Sequence, residues 1–175
     1  LEIMLDHFTS KIQYMLDGQA KAMVVTSSRE AAVKYKNIFD ELIKEKQYTN
    51  IEALVAFSGK IKVNGIEYSE PKMNGISEAK LAEAFDTNEY QVLIVANKYQ
   101  TGFDQKKLVA MYVDKKLRGI SAVQTLSRLN RTCKGKDSTF ILDFKNSYDD
   151  IINAFKPYYE ETILTNRLNP NDIYK

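Results

Sequence analysis

Lys21-Ala22-Met23-Val24-Val25-Thr26-Ser27-Ser28-Arg29 is the stretch that decides the fold. A short apolar run reads as a strand buried on both faces. The serines that close it offer a hydroxyl to cap a helix. The residues that follow place Ala32, Tyr35, Ile38, Phe39 and Leu42 on one side of a long amphipathic helix. A doubly buried strand feeding a helix is the repeating unit of a parallel sheet covered by helices.

The same pattern recurs along the chain. Ala53 to Phe57, Val92 to Ala96, Val109 to Val113 and Thr139 to Phe144 read as further buried strands. Helices are expected over Leu1 to Leu16, Ser77 to Phe85, Gln124 to Arg131 and Tyr148 to Leu164. Asn64-Gly65, the strongest short turn signal, predicts a small hairpin from Ile61 to Tyr68. The expected fold is therefore an α/β domain of three layers, αβα, around a mostly parallel sheet. It occupies residues 1–166. Asn169-Pro170-Asn171-Asp172 reads as the start of a linker, 167–175.

Composition narrows the function. At 175 residues the chain can bury a substantial core, and 44% hydrophobic with 27% charged residues is ordinary for a globular domain. Lys and Arg number 25 against 23 Asp and Glu, a net charge of +2, so any nucleic-acid contact must come from a local patch. No apolar run approaches the roughly 20 residues of a membrane span. The acidic start, without an initiator methionine or a basic n-region, reads as a piece of a longer chain and not as a signal peptide. The single cysteine, Cys133, excludes an internal disulfide and fits a cytoplasmic location. His7 stands alone, and no metal site is expected.

In parallel sheets ligands bind at the carboxyl ends of the strands. The polar residues gather there: Ser27, Ser28 and Arg29 after the first strand, Ser58 and Gly59 after the second, and Asn97 to Asp104 after the third. Gln124-Thr125-Leu126-Ser127-Arg128-Leu129-Asn130-Arg131 adds a different chemistry. On a helix, Gln124, Arg128 and Arg131 share one face. Two neighbouring guanidiniums suit an anion between them, and their planar forks match phosphate. Yet no G-x-x-x-x-G-K-[ST] loop exists to cradle phosphates: Gly59-Lys60 and Gly135-Lys136 lack the required neighbours. An arginine clamp without its pocket implies half of a two-domain nucleotide site.

In this order, the motifs resemble the second RecA-like domain of superfamily 2 helicases and translocases. More narrowly, they resemble the R (motor) subunit of type I restriction enzymes. The marks are Val55-Ala56-Phe57-Ser58-Gly59, Met73-Asn74-Gly75, Thr101-Gly102-Phe103-Asp104, Met111-Tyr112-Val113-Asp114-Lys115, Gln124 to Arg131, and Asp143-Phe144-Lys145-Asn146. The resemblance covers nearly the whole chain. It departs from many relatives at Ser127, where glycine is common.

What the resemblance implies is specific. Arg131 would be an arginine finger on ATP held by a preceding domain, with Arg128 as its partner and Gln124 orienting phosphate or water. Gly102 lets the backbone approach the ligand, Asp104 accepts from a ribose hydroxyl or a clamp arginine, and Thr101 offers a hydroxyl to DNA phosphate. Ser27, Ser28, Arg29, Ser58 and Gly59 would hold the DNA backbone without reading bases. Lys60, Lys62 and Lys72 would line the DNA path. ATP and Mg²⁺ would be bound mainly by the preceding motor domain. The partners would be double-stranded DNA, the preceding motor and nuclease domains of the same chain, and modification and specificity subunits. The alternatives are the corresponding domain of another superfamily 2 repair or RNA helicase, and a nucleotide-binding or scaffold module with no motor role. The isolated chain is expected to be inactive: it lacks the phosphate loop, and it shows no nuclease carboxylates at P-D-(D/E)-x-K spacing.

Overall fold

A computed structural model describes residues 1–99 and 103–166, with side chains to residue 158. Five parallel strands form the central sheet: β1 (Lys21–Thr26), β2 (Ala53–Ala56), β5 (Val92–Ala96), β6 (Leu108–Asp114) and β7 (Phe140–Asp143), in the order β2-β5-β1-β6-β7. β3 (Lys60–Val63) and β4 (Ile66–Ser69) form the antiparallel hairpin about Asn64 and Gly65. Both turn residues have positive φ, 51° and 80°, as a two-residue hairpin loop requires.

β1, β2 and β5 are buried along their whole length because each has helices on both faces. Period-2 alternation divides their side chains between two cores. Ala22, Val24, Val55, Ile94 and Tyr112 meet Phe8, Ile12 and Phe39 on one face. Met23, Val25, Leu54, Leu93 and Met111 meet Leu81, Phe85, Phe103, Leu126 and Leu129 on the other. The fifth strand departs from expectation. β7 is an edge strand and only partly covered, with Ile141 47% exposed.

The helices are α1 (Glu2–His7), α2 (Arg29–Glu45), α3 (Glu70–Asn74), α4 (Leu81–Asp86), α5 (Ile120–Leu126) and α6 (Tyr148–Asn166). α1 stops well short of Leu16: the chain continues as a π-helical turn, Phe8–Ile12, then kinks at Leu16 and Asp17, whose φ values are 53° and 54°. α2 buries Ala32, Val33, Lys36, Phe39 and Ile43. The expected stripe is thus rotated by about one residue. Ile38 faces outward, 45% exposed, beside an open groove also lined by Leu1, Ile3, Tyr35 and Leu42. The largest correction concerns the arginine segment. α5 ends at Leu126, the chain tightens to a 3₁₀ turn over Ser127–Asn130, and Arg131 is extended at φ −67°, ψ 127°. Ser127 donates its hydroxyl back to the Val123 carbonyl at this transition, a bond that favours a bent helix end.

Side chains close one edge of the sheet and tie two strand ends together at the other. Among the described residues no strand lies beyond β2, and α3 stands in for one. Asn74 accepts from the Val55 amide at 2.9 Å and donates to the Val55 carbonyl at 2.7 Å. One helical turn earlier, Glu70 accepts from the Phe57 amide at 3.0 Å. Two side chains on a single turn therefore satisfy alternate residues of an edge that no strand pairs with, which blunts its tendency to pair with another chain. Ser69 caps α3, and Gly75 ends it at φ 70°. Across the sheet, Asn146 donates to the Lys115 carbonyl and accepts from the Leu117 amide, both at 2.9 Å, tying the end of β7 to the end of β6.

Candidate functional site

The candidate residues form two clusters, the first of them at the carboxyl ends of the parallel strands. The first joins the loops after β1 and β2. Ser28 caps α2, its hydroxyl accepting from the Ala31 amide at 3.0 Å, so capping occupies one of the candidate DNA-contacting hydroxyls. Ser27 beside it is exposed. Arg29 reaches across to the carbonyls of Ser58 (3.1 Å) and Lys60 (3.2 Å). Gly59 is favoured there by its backbone, whose φ is 72°, and it lies in contact with the Arg29 guanidinium. The structure thus brings Ser27, Ser28, Arg29, Ser58 and Gly59 together, with Arg29 as the brace between the loops. The hairpin lysines are partly occupied. Lys60 pairs with Glu67 at 3.0 Å and Lys72 donates to the Glu67 carbonyl at 2.9 Å, while Lys62 is exposed.

The second cluster joins the arginine segment to the chain before β6. Arg128 donates to the Phe103 carbonyl at 2.9 Å. Arg131 meets Asp104 with its Nε 3.2 Å from Oδ1. The two guanidiniums converge although they do not share a helical face, because both reach for consecutive residues of one loop. About half of each side chain in the Arg131–Asp104 pair is exposed (53% and 57%), which makes it worth about 1 kcal/mol or less. Gln124 is exposed on α5, a turn before Arg128. Thr101 and Gly102 lie outside the described residues.

Lys136 holds this cluster from behind. Its ammonium donates to the carbonyls of Leu129 (2.8 Å), Arg131 (2.6 Å) and Lys106 (3.2 Å). These include carbonyls left open where the 3₁₀ turn ends, and the lysine satisfies them as a C-terminal cap. Burial pushes its pKa below the usual lysine value. No local signal in Gly135-Lys136 announces this role, since the carbonyl of the distant Lys106 must first be brought to those of Leu129 and Arg131.

A buried carboxylate also escaped the sequence. Glu70 is fully buried, and its Oε2 accepts from Lys98 at 2.8 Å as well as from Phe57. Its Oε1 is buried and has no hydrogen-bond partner among the described residues. Desolvation raises the Glu70 pKa against the pull of Lys98. Lys98 also reaches Glu78 at 3.2 Å. Burial would lower the Lys98 pKa, but its bonds to Glu70 and Glu78 outweigh that and raise it. On either side of Lys98 the backbone is unusual, with Asn97 and Tyr99 both at positive φ (52° and 61°). Such conformations in residues other than glycine cost energy and concentrate at working sites.

Several known proteins resemble this chain. Residues 72–146 match the family described as type I restriction enzyme subunit R domain 3. A protein named as the MjaIXP type I restriction enzyme endonuclease subunit, from Methanocaldococcus jannaschii, is 33% identical over 161 residues, 90% of this chain. The HindI type I restriction enzyme endonuclease subunit of Haemophilus influenzae is 28% identical over 170 residues, again 90% of this chain. The chain spans only 14% and 15% of the lengths of these two relatives. Among solved structures, the ATP-dependent Type ISP restriction-modification enzyme LlaBIII bound to DNA superposes with a TM-score of 0.51 at 20% identity, over 79% of this chain and 10% of that one. That likeness concerns the fold alone, a RecA-like α/β domain.

Proposed function

We propose, from the kinship of this chain with the R subunits of type I restriction enzymes, that it is the second motor domain of an ATP-dependent double-stranded DNA translocase within such an enzyme. The observation that carries the proposal is the convergence of Arg128 and Arg131 on residues 103–104, in a chain with no phosphate loop. On this reading the preceding domain binds ATP and Mg²⁺, and Arg131 crosses the cleft to the transferring phosphoryl group, with Arg128 beside it. The Arg131–Asp104 pair suits such a crossing, because it holds the guanidinium in register yet is weak enough for a phosphate to displace. Ser27, Arg29, Ser58 and Gly59 provide the backbone grip on DNA, with the α2 N-terminus behind them.

The test is the DNA-stimulated ATPase of the full-length subunit. Arginine fingers contribute roughly 10³–10⁵ in rate. Arg131→Ala should therefore lower turnover by at least two orders of magnitude while ATP binding persists. Unchanged turnover sinks the assignment. Strand separation in place of duplex translocation would favour another superfamily 2 helicase, and ATP affinity in the isolated chain would favour a non-motor module.

A further inference from the structure

Lys98 follows β5 on the carboxyl side of the sheet, in the stretch that leads to Asp104, where a cation could face a DNA phosphate. Its surroundings argue otherwise. Two carboxylates, Glu70 at 2.8 Å and Glu78 at 3.2 Å, already take its ammonium, and only 19% of its side chain is exposed. A phosphate would have to approach a lysine flanked by two negative charges, one of them fully buried.

The contacts of Lys98 instead link the two clusters of the site. Glu70, its partner, also binds the amide of Phe57, the residue that precedes Ser58 and Gly59. The Lys98 ammonium lies 5.4 Å from the centre of the Tyr99 ring, within cation–π range. Tyr99 packs on Phe103 with ring centres 4.6 Å apart. The Phe103 carbonyl receives Arg128 at 2.9 Å. Packed side chains thus run without a gap from the end of β2, where DNA contact is proposed, to the arginine pair proposed to face ATP.

We propose that Lys98 and Glu70 are positioning residues, a buried strut that holds the loop after β5 between these two clusters, and that Lys98 is not a phosphate ligand. The proposal rests on the translocase reading above. Moving the loop would shift the Phe103 carbonyl and with it Arg128, so the strut's loss should appear in how far DNA accelerates ATP turnover, not in how many phosphates are bound.

The experiment uses the full-length subunit with Lys98→Met, Glu70→Gln and both together. Two quantities are measured: the stimulation of ATPase by saturating DNA, and the slope of log affinity for DNA against log salt. Each removed phosphate contact lowers that slope by about 0.9. The strut requires a roughly tenfold or greater loss of stimulation, an unchanged slope, and a double variant no worse than the poorer single one. A slope reduced by about one, or full stimulation in Lys98→Met, overturns it. Should Glu70→Gln fail to fold, Lys98→Met decides alone, because its side chain reaches the surface. If DNA does not stimulate the wild-type ATPase, it is the translocase reading that falls. The strut is then judged by melting temperatures: losses in the two single variants that add in the double remove it, and losses that do not add retain it.

Discussion

Asn74 offers the sharpest quantitative test of how this sequence closes its sheet. Its amide forms two hydrogen bonds with Val55, a residue with no exposed surface on an edge strand. In Asn74→Ala the Val55 amide and carbonyl lose both partners. A satisfied hydrogen bond contributes about 1 kcal/mol net, and a buried group left unpaired costs about 1–3 kcal/mol. Asn74 is half-buried, so water can reach part of the vacated space and soften the second cost. The expected loss is about 2–4 kcal/mol. For a domain of this size each kcal/mol moves Tm by about 2–4 °C, giving a fall of roughly 4–16 °C. Urea and thermal unfolding of the chain measure it, and hydrogen exchange at the Val55 amide locates it. Asn74→Asp sharpens the test. The carboxylate can still accept from the Val55 amide but is set against the carbonyl, so the ionised form is disfavoured in the fold and the folded pKa is raised. The variant should therefore recover stability as pH falls through the raised pKa down to the ordinary carboxylate range, and lose it as pH rises back through that window. A loss in Asn74→Ala below about 0.5 kcal/mol, within the usual range of surface substitutions, with Val55 exchange unchanged, would refute the edge-closing role.

Three further outcomes follow from the geometry. Lys136→Met leaves three carbonyls without their shared donor and should loosen Arg131, so the full-length subunit should lose ATPase turnover, though less than with Arg131→Ala; equal activity to wild type would show that the cap does not orient the arginine. Asp104→Asn removes the charge that holds Arg131 and should lower turnover at saturating ATP, and an unchanged turnover would make the pair incidental. Burial lowers the Lys21 pKa to about 8, helped by Lys107 and opposed by Asp86, while its ammonium donates to the carbonyls of Thr87 and Tyr90. Between this pKa and the unfolded value the unfolded chain binds more protons, so stability should rise from about pH 8 to pH 10.5, by up to about 3 kcal/mol. Chemical denaturation of wild type against Lys21→Met reads the difference, and parallel pH profiles would exclude it.

How much was legible in the sequence depended on whether the signal was local. The five strands and the hairpin were legible because burial on both faces and the Asn64-Gly65 turn leave their marks in consecutive residues. The arginine segment was legible as chemistry but not as shape. Helical spacing predicted a shared face, whereas the 3₁₀ turn and the extended Arg131 make the two arginines converge by reaching for one loop. Met73-Asn74-Gly75 could be matched to a family but not explained until Asn74 was seen against the edge of β2.

By itself, then, the sequence determined the α/β class, the parallel sheet and the strand ends at which polar chemistry gathers, since hydrophobic periodicity and turn residues act over a few neighbours. Only the tertiary structure decided the strand order β2-β5-β1-β6-β7, the bracing of Arg29 on Ser58 and Lys60, the Lys136 cap and the burial of Glu70 beneath Lys98. Each of these joins groups that the chain holds apart. Which buried donor finds which acceptor is settled when the sheet packs and every polar group removed from water must be satisfied at once.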